Sequence, residues 1–467
     1  MTNQTFEQLK KTYESGRTRP LAWRRAQLNA LRRLVTENRD AFVSSAMADL
    51  GKPAAETVLM ELNLVAGEAQ FVRNRLSLWT ARHPKAMHWM LQPAAGWTIA
   101  EPKGVVLIIS PWNYPVLLAL EPMADALAAG NAVCLKPSEL SPNTSKLLAE
   151  LVPQYLDSEA VRVVEGGPKE TGELLKCPFN HIFYTGGGHV GKIVMRAAAE
   201  HLTPVTLELG GKSPCFVDRT ADINVAARRI AWGKFTNAGQ TCVAPDYVLA
   251  TSDVIEPLAG KIAEAVTRFF GSDPQHSDSF GRIINARHFD RLTALLPDPK
   301  SPATGRTVCG GNTRRDDLYI APTVLLGVKP DALMMQEEIF GPILPILEVA
   351  DAKAAVEFIT ARPRPLAAYA FTGSKRVRRM FEREVSCGAL GFNLPLGHLI
   401  SSWLPFGGVG ASGMGSYHGK AGFLEFSHVK TVVGKPAVPD TLSLVYPPYD
   451  GLKKILISAV SHTPRVR

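Results

Sequence analysis

The stretch Gly104-Val105-Val106-Leu107-Ile108-Ile109-Ser110 is a run of aliphatic residues with no polar residue inside it. A strand with one face in water alternates apolar and polar residues, so this continuous run predicts a strand that is buried on both faces. Other short apolar runs follow it, with helical segments between them. That alternation is typical of a parallel sheet covered by helices, and it predicts a doubly wound α/β fold.

The alternation extends in both directions from this run. In the first half we predict strands at 132–136, 161–164, 181–185 and 205–209, a helix at 141–155, and amino-terminal helices at 21–50 and 54–81. The pattern restarts after Gly210, with predicted strands at 215–217 and 247–250 and helices at 223–235 and 254–270. This restart predicts a second α/β domain.

Three further regions have local predictions of their own. Four arginines of the first helical segment are expected to form a solvated face: Arg24, Arg25, Arg32 and Arg33. Segment 297–317 contains glycines and charges and predicts loops around a short strand. A strand is expected from Ala421 onward, followed by a short tail.

One thiol lies in the turn-forming stretch Asn237-Ala238-Gly239-Gln240-Thr241-Cys242-Val243-Ala244-Pro245-Asp246, directly after a helical segment. Cys242 could be a nucleophile that faces a cleft, or a small buried hydrophobic residue. Upstream, Glu208 ends an apolar run before Gly210 and Gly211, where it could be a catalytic base or a turn residue. These residues alone leave both alternatives open.

Two segments match the G-x-G-x-x-G dinucleotide-binding pattern. The first spans 186–191, follows a predicted strand and has Glu208 about twenty positions further on, where an ordinary Rossmann interpretation would make that residue a ribose ligand. The second spans 408–413 and lacks both a preceding strand and a suitably placed acidic residue. We predict that the second segment is a tight loop near the substrate cleft.

Composition narrows the class of protein. A chain of 467 residues predicts two or three domains. Its net charge of +9 comes from scattered residues without a nucleic-acid-binding signature, which favours a solvated basic surface over a nucleic-acid partner. The six cysteines form no Cys-x-x-Cys pair and no metal-ligand spacing, which indicates reduced thiols and no metal site. With no secretory pattern, no apolar run of membrane length and a short tail at 455–467, we expect a soluble, cytoplasmic protein without a membrane anchor.

Several ordered motifs together carry a family resemblance. They are Ser110-Pro111-Trp112-Asn113-Tyr114-Pro115, Leu135-Lys136-Pro137-Ser138-Glu139, Tyr184-Thr185-Gly186-Gly187, Gln336-Glu337-Glu338-Ile339-Phe340-Gly341-Pro342 and Pro405-Phe406-Gly407-Gly408-Val409-Gly410. With the Glu208 and Cys242 segments, they closely resemble the NAD(P)-dependent aldehyde dehydrogenase superfamily. Finer details resemble its class 3 branch: Cys-Val-Ala-Pro-Asp-Tyr at 242–247, Ser-Gly-Met-Gly-Ser-Tyr-His-Gly-Lys at 412–420 and Tyr-Pro-Pro-Tyr at 446–449.

The resemblance implies a domain organisation. It implies a Rossmann-like NAD-binding domain over 1–207 and a second α/β catalytic domain over 208–400. Residues 401–467 would supply an active-site loop, an oligomerisation strand and the tail. Segment 85–101 would belong to a small β-strand oligomerisation arm, and the assembly would be a homodimer.

The resemblance also implies residue roles. Cys242 would attack an aldehyde, Glu208 would be the general base and Asn113 would donate to the oxyanion. Cofactor contacts are implied for Trp112, Lys136, Glu139, Thr185, Gly186, Gly187, Glu338 and Phe340. Walls of an apolar substrate tunnel are implied at Tyr114, Trp232, Phe235 and Phe406, which would suit aromatic or medium-chain aldehydes.

Glu139 near a ribose 2′ position would favour NAD, with NADP possible. One rival enzyme is the coenzyme A-acylating aldehyde dehydrogenase, and Glu208 disfavours it because such enzymes generally lack a Glu at this motif position. A non-catalytic NAD-binding protein of the same fold would be marked by a missing thiol, amide or base, and all three are present. One departure is Asn393-Leu394, where class 3 members commonly have Asn-Asp.

Overall fold

A computed structural model describes residues 2–297 and 304–461. The parts of the predicted 297–317 loops and of the predicted tail that fall at 298–303 and 462–467 lie outside the described residues. No helix among the residues described is long and apolar enough to cross a membrane.

The α-helices of the described chain are numbered in order. They are α1 Thr2–Glu14, α2 Leu21–Glu37, α3 Arg39–Leu50, α4 Ala54–Thr57, α5 Asn63–Trp79, α6 Leu117–Ala129, α7 Pro142–Tyr155, α8 Pro168–Leu175, α9 Gly188–Ala199, α10 Ile223–Phe235, α11 Ile255–Phe270, α12 Ala286–Thr293, α13 Ala352–Thr360, α14 Lys375–Glu384, α15 Gly419–Glu425 and α16 Gly451–Ser461. A π-helical turn, Val58–Leu62, joins α4 to α5.

The strands follow the same numbering rule. They are β1 His83–Lys85, β2 Ala95–Pro102, β3 Val105–Ile109, β4 Ala132–Lys136, β5 Val161–Val163, β6 His181–Gly186, β7 Val205–Leu209, β8 Pro214–Val217, β9 Tyr247–Ala250, β10 Arg306–Cys309, β11 Thr313–Arg314, β12 Tyr319–Ile320, β13 Thr323–Leu326, β14 Ile343–Glu348, β15 Ala367–Phe371, β16 Ala389–Phe392, β17 Gly413–Met414 and β18 Ser427–Gly434.

The apolar run at 104–110 forms β3, near the middle of a six-stranded sheet with the order β17-β7-β6-β3-β4-β5. Strands β3 to β7 run parallel, and only the short β17 is antiparallel. Alternate residues Val105, Leu107 and Ile109 pack into a core with Phe6 and Leu9 of α1. The prediction of a doubly wound parallel sheet is confirmed, and the bounds predicted for β4 and β7 match the structure.

A second sheet contains seven strands in the order β10-β13-β14-β9-β8-β15-β16. All its pairings are parallel except that of the edge strand β10 with β13. Helices α10 and α11 have the predicted positions, with α11 starting one residue later than expected. The predicted alternation after Gly210 thus forms a second sheet with its own helices, while its assignment to a separate domain stays a prediction.

Three local predictions were wrong. Segment 21–50 is two helices because Asn38 separates α2 from α3. Arg24 is buried rather than solvated, with Nη1 donating to the Ala128 carbonyl at the end of α6. The strand expected from Ala421 is preceded by α15 and begins at Ser427. The sequence did not predict α15 because two of its three buried residues, Gly419 and Gly422, are glycines, and Phe423 alone does not make an apolar helical pattern.

The chain divides into two compact units. One holds the chain to Leu76 and Pro102–Ser427, and the other holds Ser77–Glu101 with the chain from His428 onward. The second unit contains the three-stranded sheet β1-β2-β18, in which His83 pairs with Thr98 and Lys85 with Gly96. Within the predicted arm at 85–101, Lys85 belongs to β1 and residues 95–101 belong to β2, whereas Trp89–Leu91 form a 3₁₀ turn. The role of this segment in oligomerisation and the domain boundaries 1–207, 208–400 and 401–467 stay predictions.

Candidate active site

A cavity of about 300 Å³ lies where the carboxyl ends of β3, β6 and β7 meet the turn after α10. The carboxyl edge of a parallel sheet is the usual place for a ligand in this architecture. The predicted site residues that line the cavity are Trp112, Asn113, Thr185, Gly186, Gly187, Glu208, Cys242, Glu338, Phe340 and Phe406. The cavity thus contains the predicted nucleophile, base and oxyanion donor together.

The turn that carries Cys242 has an unusual backbone. Asn237, Ala238 and Gly239 have φ values of 53°, 50° and 75°, so three successive residues are left-handed. Side chains disfavour this conformation, and a Cβ at Gly239 would also collide with the carbonyl oxygen of Gly341. The turn reverses the chain after α10 and directs Cys242 toward the cavity.

We expect Gly239→Ala to lower the thermal unfolding midpoint by several degrees and to reduce activity. The left-handed conformation costs a non-glycine residue about 1–2 kcal/mol, and the clash with backbone adds to that cost. The control is Gly260→Ala, because Gly260 lies within α11 with nothing within 4 Å of an added Cβ. An unchanged midpoint in Gly239→Ala would contradict this account of the turn.

Asn113 is 3% exposed, and its side-chain Nδ2 donates to the Gln240 carbonyl at 3.0 Å. A side-chain amide has two N–H donors, so this bond orients the group and leaves the second N–H for another acceptor. Gln240 lies two residues before Cys242. The same hydrogen bond therefore links the amide to the segment that carries the thiol.

Glu208 lies on β7, is 2% exposed, and neither carboxyl oxygen has a hydrogen-bond partner among the described residues. Burial raises the pKa of this carboxyl well above its usual range, and the nearby Glu425 raises it further. Gly413 of β17 pairs with Glu208 across the sheet. The buried carboxyl is therefore harder to ionise than an exposed one, and among the described residues its two oxygens have no hydrogen-bond partner and are available to a ligand or water.

Cys242 is partly buried, and the cavity also contains the carboxyls of Glu208 and Glu338. Burial raises the pKa of the thiol above its usual range, and both carboxyls raise it further, while the backbone N–H groups of Cys242 and Val243 oppose the rise. The thiol form therefore predominates in the resting site. Nucleophilic attack requires removal of its proton.

The surroundings of Thr185 fit a dinucleotide. Its Oγ1 is buried and has no hydrogen-bond partner among the described residues. Nearby, α9 begins after Gly187 without a side-chain cap, and an added Cβ at Gly187 or Gly188 would meet nothing within 4 Å. Free amides at a helix start attract phosphate groups, and open space there admits them.

Aromatic groups cover another side of the cavity. Trp112 lies with its ring centroid 5.4 Å from that of Phe340 and 5.2 Å from that of His288. Glu338 is partly exposed and lines the cavity beside them. Such flat walls beside a carboxylate suit a nucleoside, as the predicted cofactor contacts require.

Lys136 is the last residue of β4 and Glu139 follows it three positions later, and neither lines this cavity. Lys136 Nζ is 3.2 Å from Glu139 Oε2 and donates to the carbonyls of Pro137 and Gly166. Lys136 is 2% exposed, whereas Glu139 is exposed to solvent. Their predicted contact with a ribose stays a prediction.

The predicted substrate walls are distributed over different environments. Tyr114 and Phe406 line a smaller cavity of about 30 Å³ that also reaches Cys242. Trp232 lines two other cavities, one of which also contains Trp403. Phe235 is fully buried in α10 and lines none of these cavities among the described residues. The structure thus brings two of these four residues to the thiol.

Several residues at the site were missed by sequence reasoning. His288 and Arg291 of α12 line the large cavity, and Glu121 and His418 line the small one. Burial lowers the pKa of His288 to about 4, so this imidazole is neutral at neutral pH. His288, Arg291 and Glu121 lie outside the quoted motifs, whereas His418 lies in the stretch 412–420 that resembles the class 3 branch but was given no role at the site.

Comparison with known proteins agrees with this geometry. A model of the aldehyde dehydrogenase family matches residues 2–432. The chain is 48% identical over 447 residues to aldehyde dehydrogenase family 3 member B1 of Homo sapiens, covering 95% of this chain and 94% of that protein.

Solved structures match over a similar extent. The substrate-bound state of Staphylococcus aureus AldH has a TM-score of 0.94 and 40% identity and covers 99% of both chains. The P. syringae indole-3-acetaldehyde dehydrogenase AldA, a mutant in complex with NAD+ and IAA, has a TM-score of 0.85 and 25% identity and covers 93% of this chain and 89% of that one. The chain therefore belongs to the aldehyde dehydrogenase family, is most similar to its class 3 branch and is an oxidoreductase that acts on aldehydes.

Proposed function

We propose that this chain oxidises an apolar aldehyde, aromatic or medium-chain aliphatic, to the carboxylic acid with NAD, and with NADP as a possible alternative. The observation that supports this function is the single cavity lined by Cys242, Glu208 and Asn113. In this proposal Cys242 is the nucleophile, Glu208 the general base and Asn113 an oxyanion donor. Water is the final acceptor of the acyl group.

The first step is attack of Cys242 Sγ on the aldehyde carbon. The thiol loses its proton to a base, for which Glu208 is the candidate in its ionised form, and a carbon–sulfur bond forms. The carbonyl oxygen becomes an oxyanion that the second N–H of Asn113 and the backbone N–H of Cys242 stabilise. Removing one such donor typically costs about 3–4 kcal/mol of transition-state stabilisation.

The residues that would hold the cofactor are Lys136 and Glu139 for the adenosine ribose, Thr185, Gly186 and Gly187 for the phosphates, and Trp112, Glu338 and Phe340 for the nicotinamide end. The chemistry that bound NAD supplies is acceptance of a hydride from the carbon attached to Cys242 Sγ, which becomes a thioester. A carboxylate at Glu139 would bond a ribose hydroxyl and repel a phosphate, which supports the preference for NAD. The AldA relative was solved in complex with NAD+, which also supports this cofactor.

The last step is hydrolysis of the thioester. Once Glu208 has released to solvent the proton that it took from the thiol, the ionised carboxylate takes a proton from water, the resulting hydroxide attacks the acyl carbon, and the carbon–sulfur bond breaks. The products are the carboxylic acid and the free thiolate of Cys242. Because neither oxygen of Glu208 has a hydrogen-bond partner in the part of the chain that the structure describes, one can accept this proton without first breaking such a bond.

The substrate preference rests on the walls beside Cys242. The small cavity that reaches the thiol is lined mainly by apolar and aromatic side chains: Met60, Leu64, Tyr114, Leu117, Leu118, Val243, Leu399, Phe406 and Tyr417. Such a lining favours an apolar aldehyde.

We expect purified protein to form reduced cofactor with hexanal or benzaldehyde and NAD, and less with NADP, in the absence of coenzyme A. The measurement is the initial rate for each aldehyde and cofactor pair, with and without coenzyme A. A strict requirement for coenzyme A would support the acylating alternative. Cofactor binding without turnover on any aldehyde would support a non-catalytic protein.

We also propose a homodimer in which segment 85–101 belongs to an oligomerisation arm, with an NAD-binding domain at 1–207, a catalytic domain at 208–400 and the remaining segments at 401–467. The three-stranded sheet β1-β2-β18 supports the arm. Light scattering that gives a monomer or tetramer would refute the dimer.

A further inference from the structure

Lys52 is a charged residue with no exposure to solvent. It follows Gly51, which ends α3 in the left-handed conformation. Its Nζ lies 2.5 Å from Glu61 Oε1 and donates to the Asn113 carbonyl at 2.8 Å. The ammonium also lies 4.2 Å from the ring centroid of Tyr114. Burying an ammonium is costly, and here its contacts are directed at Asn113 and the following residue.

Glu61, the partner of Lys52, contacts the far end of the loop between β3 and α6. It lies in the π-helical turn Val58–Leu62, and its side chain is also 0% exposed. Its Oε2 accepts from the backbone N–H groups of Val116 and Leu117 at 2.9 and 3.2 Å, where α6 begins. π-Helical turns are often retained where a side chain must be directed to a functional position.

The loop between β3 and α6 is therefore held at three points. Lys52 and Asn237 both donate to the Asn113 carbonyl, the latter at 2.8 Å, and Glu61 holds the first amides of α6. The Asn113 side chain then has its own bond to Gln240. Movement of this backbone would displace the remaining N–H of the amide relative to Cys242.

We propose that the buried Lys52–Glu61 pair positions the Asn113 amide for the oxyanion, so that both are positioning residues for attack by Cys242. This inference rests on the proposed function, in which Asn113 is the oxyanion donor. A pair that served only to stabilise the fold would not need to act through Asn113. That difference makes the two roles separable by experiment.

The test uses acylation of Cys242 by 4-nitrophenyl acetate, because an activated ester forms a tetrahedral oxyanion at the thiol without any cofactor. Release of nitrophenolate is measured for wild type, Lys52→Met, Asn113→Ala and the double variant. We expect Lys52→Met to lower kcat about 10- to 100-fold with KM nearly unchanged, since a misplaced donor loses most of its stabilisation. In the Asn113→Ala background the same change should lower the rate less than about twofold, because coupled residues are not additive.

The matched control is Arg24→Met. Arg24 is also a buried cation that donates to a carbonyl of α6, but it contacts Ala128 at the opposite end of the helix. We expect Arg24→Met to lower the thermal unfolding midpoint with at most a twofold change in acylation. An equal loss of acylation in Arg24→Met would overturn the proposal.

Lys52→Met leaves Glu61 buried without its partner, so this variant could fail to fold. Lys52→Met combined with Glu61→Gln removes both charges, and its nitrophenolate release is measured in the same way, with Asn113 intact and with Asn113→Ala. If the fold-loss in acylation rate of the double variant equals the product of the losses of the Lys52 and Asn113 variants, the two residues act independently. That result would overturn the positioning role while leaving the proposed function intact. If the wild type shows neither Cys242-dependent acylation nor aldehyde oxidation, the proposed function fails, and this inference with it.

Discussion

Cys242→Ala is expected to lower the rate of aldehyde oxidation by at least about 10,000-fold, comparable to the loss of a catalytic nucleophile in other enzymes. Without Sγ no carbon–sulfur bond forms, and the remaining groups at the cavity cannot supply a covalent intermediate. The measurement is reduced-cofactor formation by purified wild type and variant. A parallel mass measurement after mixing with 4-nitrophenyl acetate should show the acetyl adduct only in the wild type.

The control for this result is Cys309→Ala. Cys309 is also partly buried, but it lies in the edge strand β10 and its Sγ contacts the Pro322 carbonyl. Its removal should leave turnover within about twofold of wild type, as expected for a thiol outside the site. Retention of more than about 1% of activity in Cys242→Ala would exclude covalent catalysis by this residue.

The sequence predicted most of the sheet that positions this thiol. β3 is a wholly apolar run, and β4 and β7 are mainly apolar runs whose polar residues, such as Lys136 and Glu208, lie at or near their carboxyl ends, so these strands and their ends can be recognised from the sequence. Arg24 was misplaced because its neighbours Arg25, Arg32 and Arg33 have the composition of a solvated helix. Its burial depends on the carbonyl of Ala128, which lies more than a hundred residues away in the chain.

The site itself was predictable only where a motif marked it. Asn113, Glu208 and Cys242 each lie in such a motif, and all three line one cavity. Lys52 lies in the short link between α3 and α4, and Glu61 lies in the π-helical turn after α4, where no motif marks either residue. Their burial follows from a tertiary contact with the β3–α6 loop, which no local pattern encodes.

Glu208→Gln is expected to slow thioester hydrolysis about 100- to 10,000-fold, the usual contribution of a positioned general base. Glutamine has nearly the same shape but cannot take a proton from water. The acyl-enzyme should therefore accumulate in this variant. Quenching the reaction during turnover and measuring the mass of the intact protein by mass spectrometry would detect the acyl-enzyme. An unchanged hydrolysis rate would exclude Glu208 as the base.

The pH dependence of hydrolysis gives a second test of the same residue. Burial and Glu425 hold the pKa of Glu208 well above its usual range, so its carboxyl is protonated at low pH and becomes a base as pH rises. We expect the hydrolysis rate of a preformed acetyl-enzyme to rise with pH through this raised pKa. The thiol cannot titrate in that species because Sγ is acylated.

Glu425→Gln is the matched variant for this profile. It removes the neighbouring negative charge, which should lower the pKa of Glu208 and shift the midpoint of the profile to lower pH. Glu208→Gln should abolish the rise altogether. If the same midpoint persisted in Glu208→Gln, another group would control hydrolysis, because a neutral amide has no proton to lose in this range. A midpoint that moved with Glu425 and vanished with Glu208 would instead identify the buried carboxyl on β7 as the group whose charge limits release of the acid.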